Sequence, residues 1–121
     1  MIRHLTGLLI VAGLILALMA AWSGLRACEQ MTASWYGVES GTHTATGERF
    51  TGRDMTAAMP SRRFLGRVYD VTHNGRKVRV RINDVGPAAD LKRGIDLSHA
   101  AFAKLAPTRQ GIITVCVTRL R

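Results

Sequence analysis

At 121 residues the chain has room for one domain and not comfortably for two. Hydrophobic residues make up 47% and charged residues 21%, which excludes a wholly disordered or low-complexity polypeptide. Seventeen Lys and Arg against eight Asp and Glu give a net charge of +9, so the neighbour to look for is acidic or polyanionic: nucleic acid, a membrane surface or an anionic wall polymer.

The first segment reads as an export signal or an anchor. Arg3 and His4 precede an uncharged run from Leu5 to Leu25, and the next charge is Arg26. A basic start before an apolar stretch is the layout of a secretory signal. The run is also about 20 residues, enough to span a bilayer as a helix. Residues 1–27 are therefore a cleaved signal peptide or a retained anchor. A buried core helix is the weaker alternative, since the run has no polar face. The two cysteines, Cys28 and Cys116, are too few for a disulfide-built miniprotein or a four-ligand zinc site. Leu25-Arg26-Ala27-Cys28 resembles a lipoprotein cleavage box, although Arg26 stands where such boxes carry a small or apolar residue. The other fate for Cys28 is a bridge to Cys116, which would persist in an oxidising compartment and contribute about 4 kcal/mol in the chain-entropy model. Both fates stay open, with the disulfide favoured.

Residues 28–121 form the folded domain, and setting aside Arg3 and Arg26 lowers its net charge only from +9 to +7. Residues 32–36 read as a short strand ended by Gly37, and the Gly- and Thr-rich residues 41–52 as a loop. Residues 68–72 and 77–82 read as strands joined through His73-Asn74-Gly75-Arg76, where Asn-Gly is a strong hairpin signal. Val78-Arg79-Val80-Arg81-Ile82 alternates strictly, with one aliphatic face and one arginine face. Ser98 is placed to cap a helix over residues 99–105, with Leu97 and Phe102 as a hydrophobic staple and Pro107 ending the run. Residues 111–117 form a last, mostly buried strand. Many short strands and one short helix point to a small, mainly β barrel.

Three polar clusters stand out: Thr44-Ala45-Thr46-Gly47-Glu48, Asn83-Asp84-Val85-Gly86-Pro87 and Gly94-Ile95-Asp96-Leu97-Ser98. Two carboxylates that reach one cleft from separate loops are what cleavage of a glycosidic bond requires. Taken alone the signal is weak. A loop glutamate is usually solvated, and an aspartate before a Gly-Pro break often only bonds turn amides.

Seven pieces occur in order: Ala33-Ser34-Trp35-Tyr36-Gly37, Thr44-Ala45-Thr46-Gly47-Glu48, Thr56-Ala57-Ala58, Val71-Thr72, Asn74-Gly75, the run from Val78 to Pro87, and Ile95-Asp96-Leu97-Ser98. Together they closely resemble the rare lipoprotein A family of septal-ring lytic transglycosylases, over nearly the whole chain after Thr32. The resemblance implies a six-stranded double-psi β-barrel, an exported location in the periplasm or cell envelope, and peptidoglycan glycan strands as substrate. It implies cleavage between MurNAc and GlcNAc without water, leaving a 1,6-anhydro end. The family's loop glutamate matches Glu48 and its aspartate before Gly-x-Pro matches Asp84. Its histidine after Thr-Ala-Ala falls at position 59, where this chain has Met59, which neither donates nor accepts a proton at neutral pH.

On this basis Asp84 is the expected general acid and base, and Glu48 holds the sugar or stabilises developing positive charge. Trp35, Tyr36, His43, Met59, Arg81 and Asn83 are the expected substrate-binding residues, with His43 entering the cleft opposite the missing histidine. Asp96 is expected to be structural, bonding the loop and first turn of the helix. No metal-ligand spacing or nucleotide loop is present, so no cofactor is expected. Nucleic acid as a partner rests on charge alone and matches no motif. The chain is expected to act as a monomer, with membrane anchoring open. The alternative, carried by Met59, is a non-catalytic peptidoglycan-binding barrel.

Overall fold

The computed structural model describes residues 28–87 and 93–120; the expected signal or anchor over residues 1–27 lies outside the described residues. Six strands are present: β1 (Glu29–Tyr36), β2 (Thr56–Met59), β3 (Val68–His73), β4 (Arg76–Val85), β5 (Ile95–Ser98) and β6 (Ile112–Arg119). They close into a barrel in the order β1-β5-β2-β4-β3-β6. The β1–β5 and β2–β4 pairs run parallel and the other four antiparallel. This is the six-stranded double-psi β-barrel expected from the sequence. Closure leaves no free sheet edge.

The strand alternation explains the inside. Val78, Val80 and Ile82 of β4 point inward and are buried, while Lys77, Arg79 and Arg81 point outward. Val71, Ile95, Leu97, Phe102 and Val115 meet them in one core. The β3–β4 hairpin turns through Asn74 and Gly75, both at positive φ (47° and 79°), which is the conformation an Asn-Gly turn supplies. Among the described residues one α-helix, α1 (His99–Leu105), seals the barrel beside β4 and β5. Ser98 caps it, its hydroxyl accepting from the Ala101 N–H at 3.1 Å. The staple residues Leu97 and Phe102 are both fully buried.

Two strands were not expected as strands. β2 and β5 are four residues each, and β2 is buried at every position, so neither carries the alternation that betrays a half-exposed strand. β1 also begins three residues earlier than expected, at Glu29, because its first residues pair with β6. A disulfide joins Cys28 to Cys116, with the Cα atoms 5.3 Å apart. That spacing suits a bridge. With its sulfur in this bond, Cys28 offers no thiol for lipidation.

Candidate active site

The site is built across three neighbouring strands. Ala58 of β2 pairs with Asp84 of β4 on one side and with Asp96 of β5 on the other. The row Asp84–Ala58–Asp96 therefore places the two aspartates two strand spacings apart, roughly 9–10 Å between their Cα atoms. The alanine between them leaves a hollow where a larger side chain would stand. Tyr36, His43, Phe50 and Gly86 complete the walls of a cleft of about 280 Å3.

Asp84 is held as an acceptor. Its Oδ1 receives the Ala45 N–H at 3.0 Å and the Val85 N–H at 2.9 Å, and its Oδ2 receives the Tyr36 hydroxyl at 3.3 Å. Burial, together with the nearby Asp84 carboxylate, pushes the Tyr36 hydroxyl above its ordinary pKa, so it stays protonated and donates. Its ring stacks on Phe50 with centroids 4.5 Å apart, which fixes its direction.

Asp96 sits in different surroundings. It is half-buried and receives a single side-chain hydrogen bond, from Ser34 Oγ at 2.9 Å. Burial pushes its carboxyl pKa up, and the charge of Asp84 adds to the shift. The cleft thus holds two carboxyl groups in unlike environments, the arrangement that separates an acid from a base.

The loop over residues 41–52 forms one wall. It folds back through Phe50 N–H to Thr42 O and Thr44 N–H to Glu48 O, turning at Gly47, whose φ of 87° favours glycine. This fold delivers the Ala45 N–H to Asp84 and brings His43 to the cleft, its Nδ1 bonded to Thr42 Oγ1 at 3.0 Å. Glu48 does not line the cleft. Its carboxylate meets the Arg81 guanidinium through two bonds of 2.5 and 2.7 Å, with Thr46 Oγ1 at 3.2 Å and the Asn83 amide nitrogen at 3.5 Å. The Arg81 hydrogen bonds hold the Glu48 carboxyl at about 2, well below the usual range.

Of the eight residues singled out in the sequence, the structure brings Tyr36, His43 and Asp84 to the cleft. Glu48, Arg81 and Asn83 form a network of their own beside it, where a register shift between Ala57 and Ala58 leaves Asn83 without a partner on β2 and turns Asp84 toward the cleft. Trp35 packs edge-on against His99 and donates its indole N–H to the Thr108 carbonyl at 2.9 Å, away from the cleft. Met59 is 4% exposed, with its side chain in the barrel core rather than on the cleft side of β2. Asp96 is the residue that sequence reasoning placed elsewhere. The signal for it was present, since Asp96 stands between the fully buried Ile95 and Leu97, and alternation turns it to the other face of the strand. Among the described residues no cluster of three His, Cys, Asp or Glu is placed to hold a metal ion.

A family model described as "Lytic transglycolase" matches residues 28–117. The endolytic peptidoglycan transglycosylase RlpA of Haemophilus influenzae is 40% identical over 92 residues, which are 73% of this chain and 31% of that protein. A probable endolytic peptidoglycan transglycosylase RlpA of Nostoc sp. is 45% identical over 97 residues, 77% of this chain and 26% of that protein. The chain thus spans about a quarter to a third of the length of these two relatives. Among solved structures, a Streptomyces papain inhibitor superposes with a TM-score of 0.63 at 28% identity, covering 77% of this chain and 96% of the inhibitor. An expansin of Clavibacter michiganensis in complex with cellohexaose shares the fold, with a TM-score of 0.59 at 22% identity over 77% of this chain and 51% of the expansin.

Proposed function

The chain belongs to the lytic transglycolase family, and from that premise we propose that its cleft cleaves peptidoglycan glycan strands at the MurNAc–GlcNAc bond without water. The observation that carries the reading is the row Asp84–Ala58–Asp96, two carboxyl groups in unlike environments on one cleft. Asp96, whose burial favours the protonated form, donates its proton to the glycosidic oxygen as the bond from C1 to O4 breaks. The MurNAc 6-hydroxyl attacks C1, the C1–O6 bond forms, and Asp84 accepts the hydroxyl proton. The products are a 1,6-anhydro end and a free 4-hydroxyl. One proton has moved from Asp96 to Asp84, and exchange with solvent resets the pair. Asp84 is thereby the base alone, and the acid is Asp96. Tyr36 orients Asp84, and His43 meets sugar hydroxyls at the cleft wall. The uncharged run from Leu5 to Leu25 delivers the barrel to the periplasm or envelope, where it works as a monomer.

The test uses the full chain and purified glycan strands, with anhydro-ended fragments read by mass spectrometry. Asp84→Asn and Asp96→Asn should each lower product formation by about 10²-fold or more, while sedimentation with sacculi persists. An Asp96→Asn protein that cleaves at the wild-type rate would return the acid to Asp84. A second reading, a non-catalytic wall-binding barrel, is favoured by Met59 at the position of the family's histidine. It predicts sedimentation with sacculi and no anhydro ends from the wild type.

A further inference from the structure

Next to the cleft, at the Met59 end of β2, lies a larger groove of about 830 Å3. Consecutive residues of β2 divide the two: Ala58 lines the cleft and Met59 the groove. Neighbouring residues of a strand point to opposite faces, so Ala58 stands on the outer face of the barrel at the cleft and Met59 on the inner face, at the floor of the groove. The groove has an apolar floor that includes Met31, Met59 and Phe64, and a rim carrying Arg63, Arg67 and Arg119. Arg63 and Arg67 lie over the Phe64 ring at 4.7 and 5.7 Å from its centroid. Stacking of this kind holds a guanidinium in place and leaves its N–H donors free for an anion. None of the three arginines forms an ion pair among the described residues.

The position of the groove adds a second argument. Its wall includes Glu29, the residue after Cys28, and Val117, the residue after Cys116. The uncharged run from Leu5 to Leu25, the part of the sequence suited to a bilayer, therefore enters the described barrel at the edge of this groove. Positive charge above an apolar floor, at the point where a bilayer-compatible segment joins the domain, complements a molecule that is anionic at one end and apolar at the other.

We infer that this groove binds the headgroup of an anionic phospholipid, with Arg63, Arg67 and Arg119 on the phosphate and the floor against the first acyl carbons. The barrel then rests on the membrane through the rim of this groove. The inference does not depend on whether the cleft cleaves glycan.

The experiment reconstitutes the full chain into nanodiscs of phosphatidylglycerol or of phosphatidylcholine and follows hydrogen exchange in peptides covering residues 59–69. Exchange should be slower in phosphatidylglycerol, and cleft peptides should exchange equally in both lipids. The difference should vanish at about 1 M salt, where the Debye length falls to about 3 Å. Each arginine at an anionic surface is worth roughly fivefold in affinity, so Arg63→Glu/Arg67→Glu should remove about 20-fold or more of the lipid-dependent protection. Arg119→Glu, on a separate strand, should weaken it independently. Equal exchange in the two lipids overturns the inference, as does a difference that survives both sets of charge reversals. Protection by an acidic amphipathic peptide with none from phosphatidylglycerol also overturns it and assigns the groove to a protein partner.

Discussion

Glu48 and Arg81 meet through two hydrogen bonds at the root of the loop that supplies the Ala45 N–H to Asp84. A carboxylate so engaged, with its pKa held down at about 2, is poorly suited to move protons at neutral pH and well suited to fix a loop. Glu48→Gln should therefore lower glycan cleavage by about 10-fold or more, through misplacement of Asp84. The reversed pair, Glu48→Arg with Arg81→Glu, should recover much of the rate. No recovery would mean that Glu48 touches the substrate itself. The pair also has a pH signature. A carboxyl whose folded pKa is depressed contributes stability above its ordinary value, and that contribution disappears as the pH falls toward 2. Thermal melts of wild type and Glu48→Gln should accordingly converge across that window. Asp96 has the opposite sign. Its raised folded pKa favours the protonated form, so stability falls as the pH rises through that value. Asp96→Asn keeps the acceptor for Ser34 and removes a carboxyl whose ionisation burial disfavours. Its melting temperature at neutral pH should equal or exceed that of wild type even as cleavage is lost, and the gain should shrink toward about pH 3, where both side chains are neutral.

At the scale of elements, α1 depends on one side chain. Ser98 is fully buried, accepts from the Ala101 N–H and donates to the Asp54 carbonyl at 2.6 Å. Ser98→Ala removes the cap and leaves that carbonyl unpaired. The expected cost is about 2 kcal/mol, from roughly 1 for the cap and a similar amount for the orphaned acceptor. Urea titration should show a lower midpoint with an unchanged slope. This helix was fully legible in the sequence, because its cap, staple and stop are local signals. So was the β3–β4 hairpin, whose alternation and Asn-Gly turn are adjacent in the chain. β2 and β5 were legible only as motif fragments. Their burial pattern shows no period, and the pairings that make them strands, Ala58 to Asp84 and Ala58 to Asp96, join residues far apart in sequence. The site shares that asymmetry. Asp84 stood out at the end of a clear strand, whereas Asp96 next to a helix cap looked like part of the cap. Only the barrel order, with β2 between β4 and β5, makes the two aspartates partners.

At the scale of the whole molecule, a small barrel has little core and depends on covalent help. The Cys28–Cys116 bridge ties the first described residue to the last strand across a sequence separation of 88. A loop of that length removes enough freedom from the unfolded chain to contribute about 4 kcal/mol in the chain-entropy model. Set against a total of roughly 5–15 kcal/mol for a typical domain, this is a large share. Replacing both cysteines by serine should lower the urea midpoint by about 1.3–4 M for a slope of 1–3 kcal/mol/M, and reduced wild type should match the double variant. The loss should be unevenly distributed. Glu29 and Gln30 pair with Val117 and Cys116 beside the bridge, and Glu29 and Val117 also line the groove. The cleft instead rests on β2, β4 and β5, which the bridge does not touch. Hydrogen exchange should therefore rise first in residues 29–31 and 115–119 on reduction, with the strands carrying Asp84 and Asp96 protected until global unfolding. An unchanged midpoint under reducing conditions would show that the barrel's own pairing suffices. Simultaneous loss of protection in both regions would show that the bridge supports the cleft as directly as it supports the groove.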